Sequence, residues 1–161
     1  MIISTTRFGA LEIPDDRIIT MAKPILGFEQ LKQYCLVERD DCEPFLWMQS
    51  IEDPAVAFIV INPLFFHPGY RIEVNPKEVE ELRIGDVKSV ETYAIVTIPH
   101  DPGEMTINLQ GPILINAETR LAKQLVLVNS EYRVCHHILR DARPSAEPAV
   151  ERESAETAMT V

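Results

Sequence analysis

Apolar residues come in short runs along this chain, and turn-forming residues break nearly every run before it could make a long helix. Residues 2–6 (IISTT), 11–13 (LEI) and 17–21 (RIITM) are aliphatic or β-branched pieces. Phe8-Gly9 and Pro14-Asp15-Asp16 separate them, and both are turn-forming sequences. Residues 34–38 and 45–49 flank an acidic turn, RDDCEP, at 39–44. Residues 55–61 (AVAFIVI) are almost wholly apolar, the pattern of a strand covered on both faces. A longer run at 90–98 stops at Pro99, and further pieces at 105–109, 113–116 and 125–128 follow at close spacing. Many short strands so spaced predict a mainly β fold, a sandwich or a barrel.

Two stretches read as helical. Residues 29–33 have room for one turn or two. Residues 75–83 (NPKEVEELR) carry stronger signals. Asn75 is placed to cap the first amides, Pro76 suits the first helical position, and Glu78 stands at the capping-box position. Gly85 lies just past the end, where a left-handed residue is wanted. Val79 and Leu82 share a face, so so short a helix must be held by packing on the sheet.

Composition divides the chain once. Residues 1–139 carry the apolar runs and form one domain. Residues 140–161, RDARPSAEPAVERESAETAMTV, contain no aromatic residue and are rich in Ala, Glu, Pro and Ser. Such a segment buries too little apolar surface to offset its ordering entropy, so it reads as a disordered acidic tail. The 12 prolines against 6 glycines fit many short, sharply turned segments.

Charge narrows the function classes. Formal net charge is −10, from 25 acidic and 15 basic residues. That field repels phosphate backbones and anionic membrane surfaces and attracts basic partners. It also serves plain solubility. The three cysteines, Cys35, Cys42 and Cys135, are an odd number in a chain of this size, which points to a reducing, cytoplasmic setting. The opening MIISTTRFG lacks a basic start followed by an apolar core, so no signal peptide is expected. No apolar run approaches the length of a membrane span.

Candidate chemistry is sparse. Cys135-His136-His137 is the most metal-like string, but adjacent residues of a strand point to opposite faces and no second ligand pair completes a site. The expectation is therefore no metal and no cofactor. His67 and His100 lie in proline-rich loops with no nucleophile or acid fixed beside them by spacing. Phosphate-cradling glycine motifs and a nucleophile elbow are missing. The chain reads as a binding protein rather than an enzyme. The enzyme alternative is a small hydrolase or isomerase using one of the loop histidines.

Two strings look specific. One is INPLFFHPGY at 61–70, which puts Phe65, Phe66 and Tyr70 into a loop begun by Asn62 and Pro63. Either this loop folds its own aromatics over one end of the domain, or it holds them out as anchors for a partner. The other is TINLQGPILIN at 106–116, with Asn108, Leu109, Pro112 and Asn116. There the asparagines either hydrogen-bond a tight connection or, at Asn108, meet a partner.

These strings, in this order, resemble the flagellar assembly factor FliW family. The resemblance is carried by Thr6-Arg7-Phe8-Gly9, then Gly27-Phe28-Glu29, then Gln49-Ser50 with Asp53-Pro54. It continues through Ala57-Phe58-Ile59-Val60, Asn62-Pro63 and Pro68-Gly69-Tyr70, and ends at Asn108-Leu109 with Pro112 and Asn116. It spans roughly residues 5–139. Met21-Ala22-Lys23-Pro24 and Trp47-Met48 depart from the family pattern while keeping apolar bulk. The resemblance implies a small antiparallel β-barrel-like domain with one or two short helices. It implies partners as well: CsrA, the carbon storage regulator that represses translation by binding RNA, and flagellin, which competes with CsrA for the factor. The chain would then antagonise CsrA and couple flagellin translation to flagellar assembly. A narrower alternative is a flagellin secretion chaperone with no part in RNA regulation. Partner contact is expected at Asn62, Pro63, Phe65, Phe66, Tyr70, Asn108, Leu109 and Pro112.

Truncation after Leu139 is expected to leave the thermal midpoint nearly unchanged in a melting experiment. A fall of more than a few degrees would show that the tail is docked on the domain.

Overall fold

The computed structural model describes residues 1–72, 75–85, 87–127 and 132–138. The expected disordered tail at 140–161 lies outside them. Among the described residues the strands are β1 (Ile2–Thr5), β2 (Gly9–Glu12), β3 (Ile19–Lys23), β4 (Gln33–Glu38), β5 (Leu46–Ser50), β6 (Ala57–Ile61), β7 (Val90–Thr97), β8 (Thr106–Ile107), β9 (Ile113–Asn116), β10 (Leu121–Gln124) and β11 (His136–His137). Short helices run over Pro63–Phe66 (α1) and Pro76–Val79 (α2), the latter continuing as a 3-10 turn over Glu80–Leu82.

Seven strands close a barrel in the order β7-β6-β5-β4-β3-β10-β9, and β9 returns to β7. Val90 to Tyr93 of β7 pair with Asn116 to Ile113, while Val96 and Thr97 of the same strand pair with β8. The one parallel pair is β3 with β10; the others are antiparallel. The β1–β2 hairpin is a separate two-stranded sheet packed outside the ring.

A closed ring gives every strand an inside and an outside, and side chains alternate between them. The inner cluster holds Ile19, Met21, Tyr34, Met48, Val60, Ile113, Ile115 and Ala122. Their chain neighbours face outward and are covered in turn. Cys35 and Val37 pack under the hairpin with Ile3, Ile13 and Leu11. Ile61, Ala94, Val96 and Leu114 pack with Leu82, Tyr70, Leu109 and Tyr132 in a second outer core. Strand β6 is therefore covered on both faces, as its apolar run predicts: Phe58 and Val60 face in, Ile59 and Ile61 face out.

The helix at Asn75 forms where its caps place it. Asn75 Oδ1 accepts from the Lys77 amide at 2.9 Å. It ends earlier than Gly85: Arg83 takes the left-handed conformation, φ 54°, and closes the turn by donating its amide to Glu80. Two buried polar side chains of the barrel wall hold this helix down. Asn116 donates to the Leu82 carbonyl at 2.8 Å and the Arg83 carbonyl at 3.2 Å. Lys123 donates to the Glu78 carbonyl at 2.7 Å and pairs with Glu81 at 3.0 Å. Asn116 thus serves the connection, and its Oδ1 also accepts from the Glu118 amide.

Three sequence expectations need correction. The 29–33 stretch is not helical. Two successive turns, closed by Phe28 N to Ile25 O and Leu31 N to Phe28 O, take its place, with Gly27 at φ 91° third in the first of them, and Gln33 is already in β4. A single turn has too few hydrogen bonds to offset helix nucleation. The strand expected at 125–128 lies earlier, at Leu121–Gln124, where charged Lys123 hides the periodicity. Leu125 and Leu127 are buried but make isolated bonds to Pro112 and Gln110 rather than a ladder, and Val128 is outside the described residues. The 105–109 strand is shortened to Thr106–Ile107 because Asn108 turns the chain.

Replacing Asn116 with Ala removes the bonds to the Leu82 and Arg83 carbonyls, of which Leu82 keeps only the Thr119 hydroxyl at 3.3 Å. The expected loss is about 1–2 kcal/mol, on the order of one buried group losing its partner, measured by urea denaturation. A loss below about 0.5 kcal/mol would mean that the helix is held by apolar packing alone.

Candidate interaction surface

The two specific strings meet in space. The Tyr70 hydroxyl donates to the Leu109 carbonyl at 2.7 Å inside the outer core. The Tyr70 ring packs on Tyr132 with centroids 4.6 Å apart, and the Tyr132 hydroxyl accepts from the Arg71 amide at 3.2 Å. His67 lies edge-on to both rings.

The candidate contact residues separate by environment. Pro63, Tyr70, Leu109 and Pro112 are buried. Asn62 is the cap of α1, its Oδ1 accepting from the Leu64 amide at 3.0 Å. Asn108 Oδ1 accepts from the amides of Gln110 and Gly111, at 3.0 and 2.9 Å. A β-carbon on Gly111 would stand 3.0 Å from both the Asn108 and Gln124 amide nitrogens, so only glycine fits there without displacing them. Phe66 is half-buried against the outer core. Phe65 is 69% exposed and its neighbour Leu64 is 50% exposed. The loop folds Phe66 and Tyr70 in against the outer core and leaves Phe65 exposed.

Helix α1 forms one wall of a groove of about 1390 Å³. The opposite wall is α2 and its 3-10 extension, through Val79, Glu80 and Arg83, and the floor is Val90, Thr92 and Tyr93 of β7 with Leu114 of β9. Small-molecule pockets hold roughly 300–1,000 Å³, so this one is broad enough for part of another chain. Lys88 and Arg71 also line it, beside Glu91. The sequence reading did not associate α2 or β7 with the 62–70 loop, because only the barrel topology brings these elements together.

Elsewhere the chemistry stays dispersed. His100 is exposed ahead of the turn Pro102–Glu104. In β11, His137 faces Glu104 at 3.5 Å and His136 Nε2 accepts from the Arg133 amide at 2.8 Å, while Cys135 is exposed. No group of three or more His, Cys, Asp or Glu among the described residues is placed to hold a metal ion. Among the same residues, no helix is long and apolar enough to cross a membrane.

Comparison with known proteins gives a consistent result. The family model described as FliW protein matches residues 2–138. The flagellar assembly factor FliW of Syntrophus aciditrophicus is 44% identical over 141 residues, covering 88% of this chain and 89% of the relative. That of Alkaliphilus metalliredigens is 39% identical over 148 residues, covering 91% of each. The crystal structure of a flagellar assembly factor FliW superimposes with a TM-score of 0.80 at 34% identity, over 86% of this chain and 96% of that one.

Two tyrosines of the groove give a pH signature. Burial pushes the Tyr93 phenol up from 10.0 to about 12, with Glu91 adding to the effect. Burial raises Tyr70 further, with Tyr132 adding to it. The folded state then holds protons that the unfolded chain gives up near pH 10, so this contribution is intact below pH 10 and is lost as pH rises. The thermal midpoint should fall from pH 10 towards pH 12, and Tyr93→Phe should make that fall shallower. An unchanged slope in the variant would mean that the phenol titrates freely.

Proposed function

The chain belongs to the FliW family of flagellar assembly factors, and from that membership we propose that it is a cytoplasmic protein-binding antagonist of CsrA that also takes up flagellin. The observation that carries the reading is the groove between α1 and α2. Its floor includes Val90, Tyr93 and Leu114, exposed Leu64 lines its α1 side, and exposed Phe65 stands next to Leu64 on the same helix, outside the groove lining. Such side chains are left in water at a cost unless a partner covers them.

The chemistry of the surface supports a basic partner. Glu78, Glu80 and Glu81 are exposed along α2 and its extension, next to the groove, and the whole chain carries −10. A repressor that binds RNA must display Lys and Arg, so the two fields attract. The same field opposes direct contact of this protein with RNA. Binding beside the repressor's RNA surface places acid near the message and weakens its hold. Flagellin, by occupying the factor, frees CsrA; its secretion returns the factor to CsrA.

Leu64→Ala and Phe65→Ala should each weaken binding of purified CsrA or flagellin by about tenfold, ~1.4 kcal/mol, with the melting midpoint unchanged. Association with CsrA should slow as salt rises, since the Debye length shortens to about 10 Å at 0.1 M. Full affinity for both partners in both variants would place the contact elsewhere. An RNA mobility shift by this protein alone at near-physiological salt would refute the protein-only mechanism. A factor that binds flagellin but not CsrA would be a secretion chaperone instead.

A further inference from the structure

A second surface lies outside the groove, where the tip of the β1–β2 hairpin meets the β4–β5 turn. The guanidinium of Arg7 sits over the Trp47 ring, 4.3 Å from its centroid. Phe8 meets Trp47 edge-on at 5.7 Å, and the Arg39 guanidinium lies 5.8 Å from the Phe8 centroid. The four side chains form a ladder with a cation at each end. Both rings are half-buried and both arginines are exposed.

The ladder is held in place from beneath. Buried Thr5 donates its hydroxyl to the Gly9 carbonyl at 2.8 Å and accepts from the Phe8 amide at 2.8 Å. Gly9 takes φ 70°, a conformation that favours glycine. Trp47 pairs across strands with Val37, which packs under the hairpin. Neither guanidinium makes an ion pair among the described residues. Contact with a ring engages the face of a guanidinium and leaves its edge N–H groups for a planar acceptor such as a carboxylate.

We propose that this ladder is a docking surface for a polypeptide segment that lays an apolar side chain along Trp47 and Phe8 and sets carboxylates against Arg7 and Arg39. Trp and Arg are the residue types that dominate protein-binding energetics. Here their rotamers are already constrained by one another, which lowers the ordering cost of binding. A peptide is favoured over nucleic acid by the immediate surroundings. Asp40, Asp41 and Glu43 are exposed beside Arg39. A peptide can place its acids only where the cations are, whereas a nucleic acid brings a phosphate at every step. The surface is separate from the groove, and its proposal does not depend on the identity of the groove's partner.

Trp47 is the sole tryptophan of the chain, so its indole N–H resonance reports on this surface alone. The full chain should be titrated with the synthetic peptide Ac-Glu-Leu-Glu-Leu-Glu-NH₂, with the Lys-Leu-Lys-Leu-Lys counterpart, and with oligouridylate. The acidic peptide should shift the indole resonance saturably. The double variant Arg7→Ala, Arg39→Ala should weaken that response at least tenfold with an unchanged melting midpoint, and Arg7→Lys, Arg39→Lys should restore only part of it. No saturable shift with the acidic peptide overturns the proposal. So does an equal shift with the lysine peptide, or a response to oligouridylate alone, which would make the ladder a nucleic-acid surface.

Discussion

Everything in this domain depends on one closure, the pairing of the first half of β7 with β9. That contact turns a run of strands into a ring, and a ring has no free edge to protect. It also fixes the alternation of side chains. Once Ile113 and Ile115 face inward, Leu114 and Asn116 must face outward, and the outward set needs its own cover. The hairpin, α2 and the 62–72 segment are that cover. The groove exists because two of these covering pieces do not meet over the floor of β7 and β9.

The outward set explains why a small domain carries buried polar groups. Asn116 and Lys123 occupy positions that pure packing would give to aliphatic residues. They are used instead to bind the last carbonyls of a helix too short to stand by itself. The groove wall is thus fixed to the barrel by hydrogen bonds with defined geometry, and its position follows the register of β9 and β10. Lys123 follows inward-facing Ala122 in β10, so strand alternation alone turns its side chain outward to the helix side.

The strands from residue 34 to residue 98 were legible in the sequence because their apolar runs matched strand lengths and ended at turn residues. The cap at Asn75 was legible for the same local reason. What failed was non-local. β10 is written with Leu, Ala, Lys and Gln and owes its strand conformation to β3 and β9 on either side. The site was only half legible. The strings that mark the family mostly proved to be turn chemistry: Asn108 folding the connection to Gly111, Gln49 donating to the carbonyls of Pro54 and Val56, and Gly27 in its left-handed turn. A motif that repeats because the backbone needs it looks the same on paper as one that touches a partner. Arg7 and Phe65 stood in the marked strings, but nothing in those strings told their exposure apart from the turn chemistry around them, and Leu64 and Arg39 carried no mark, because exposure is decided by the surrounding elements.

The parallel contact between β3 and β10 has a consequence for how the protein is made. Thr20 pairs with Leu121, so the seam joins residues about a hundred positions apart. A ribosome releases the hairpin, β3, β4, β5 and β6 well before it releases β9 and β10. During that interval the nascent chain has an open sheet whose inner face, including Met48 and Val60, lacks its opposite wall. The barrel cannot seal until nearly the whole domain has emerged, and the entropy of closing so long a loop is met all at once. A product truncated before β9 therefore has no ring on which to display the groove.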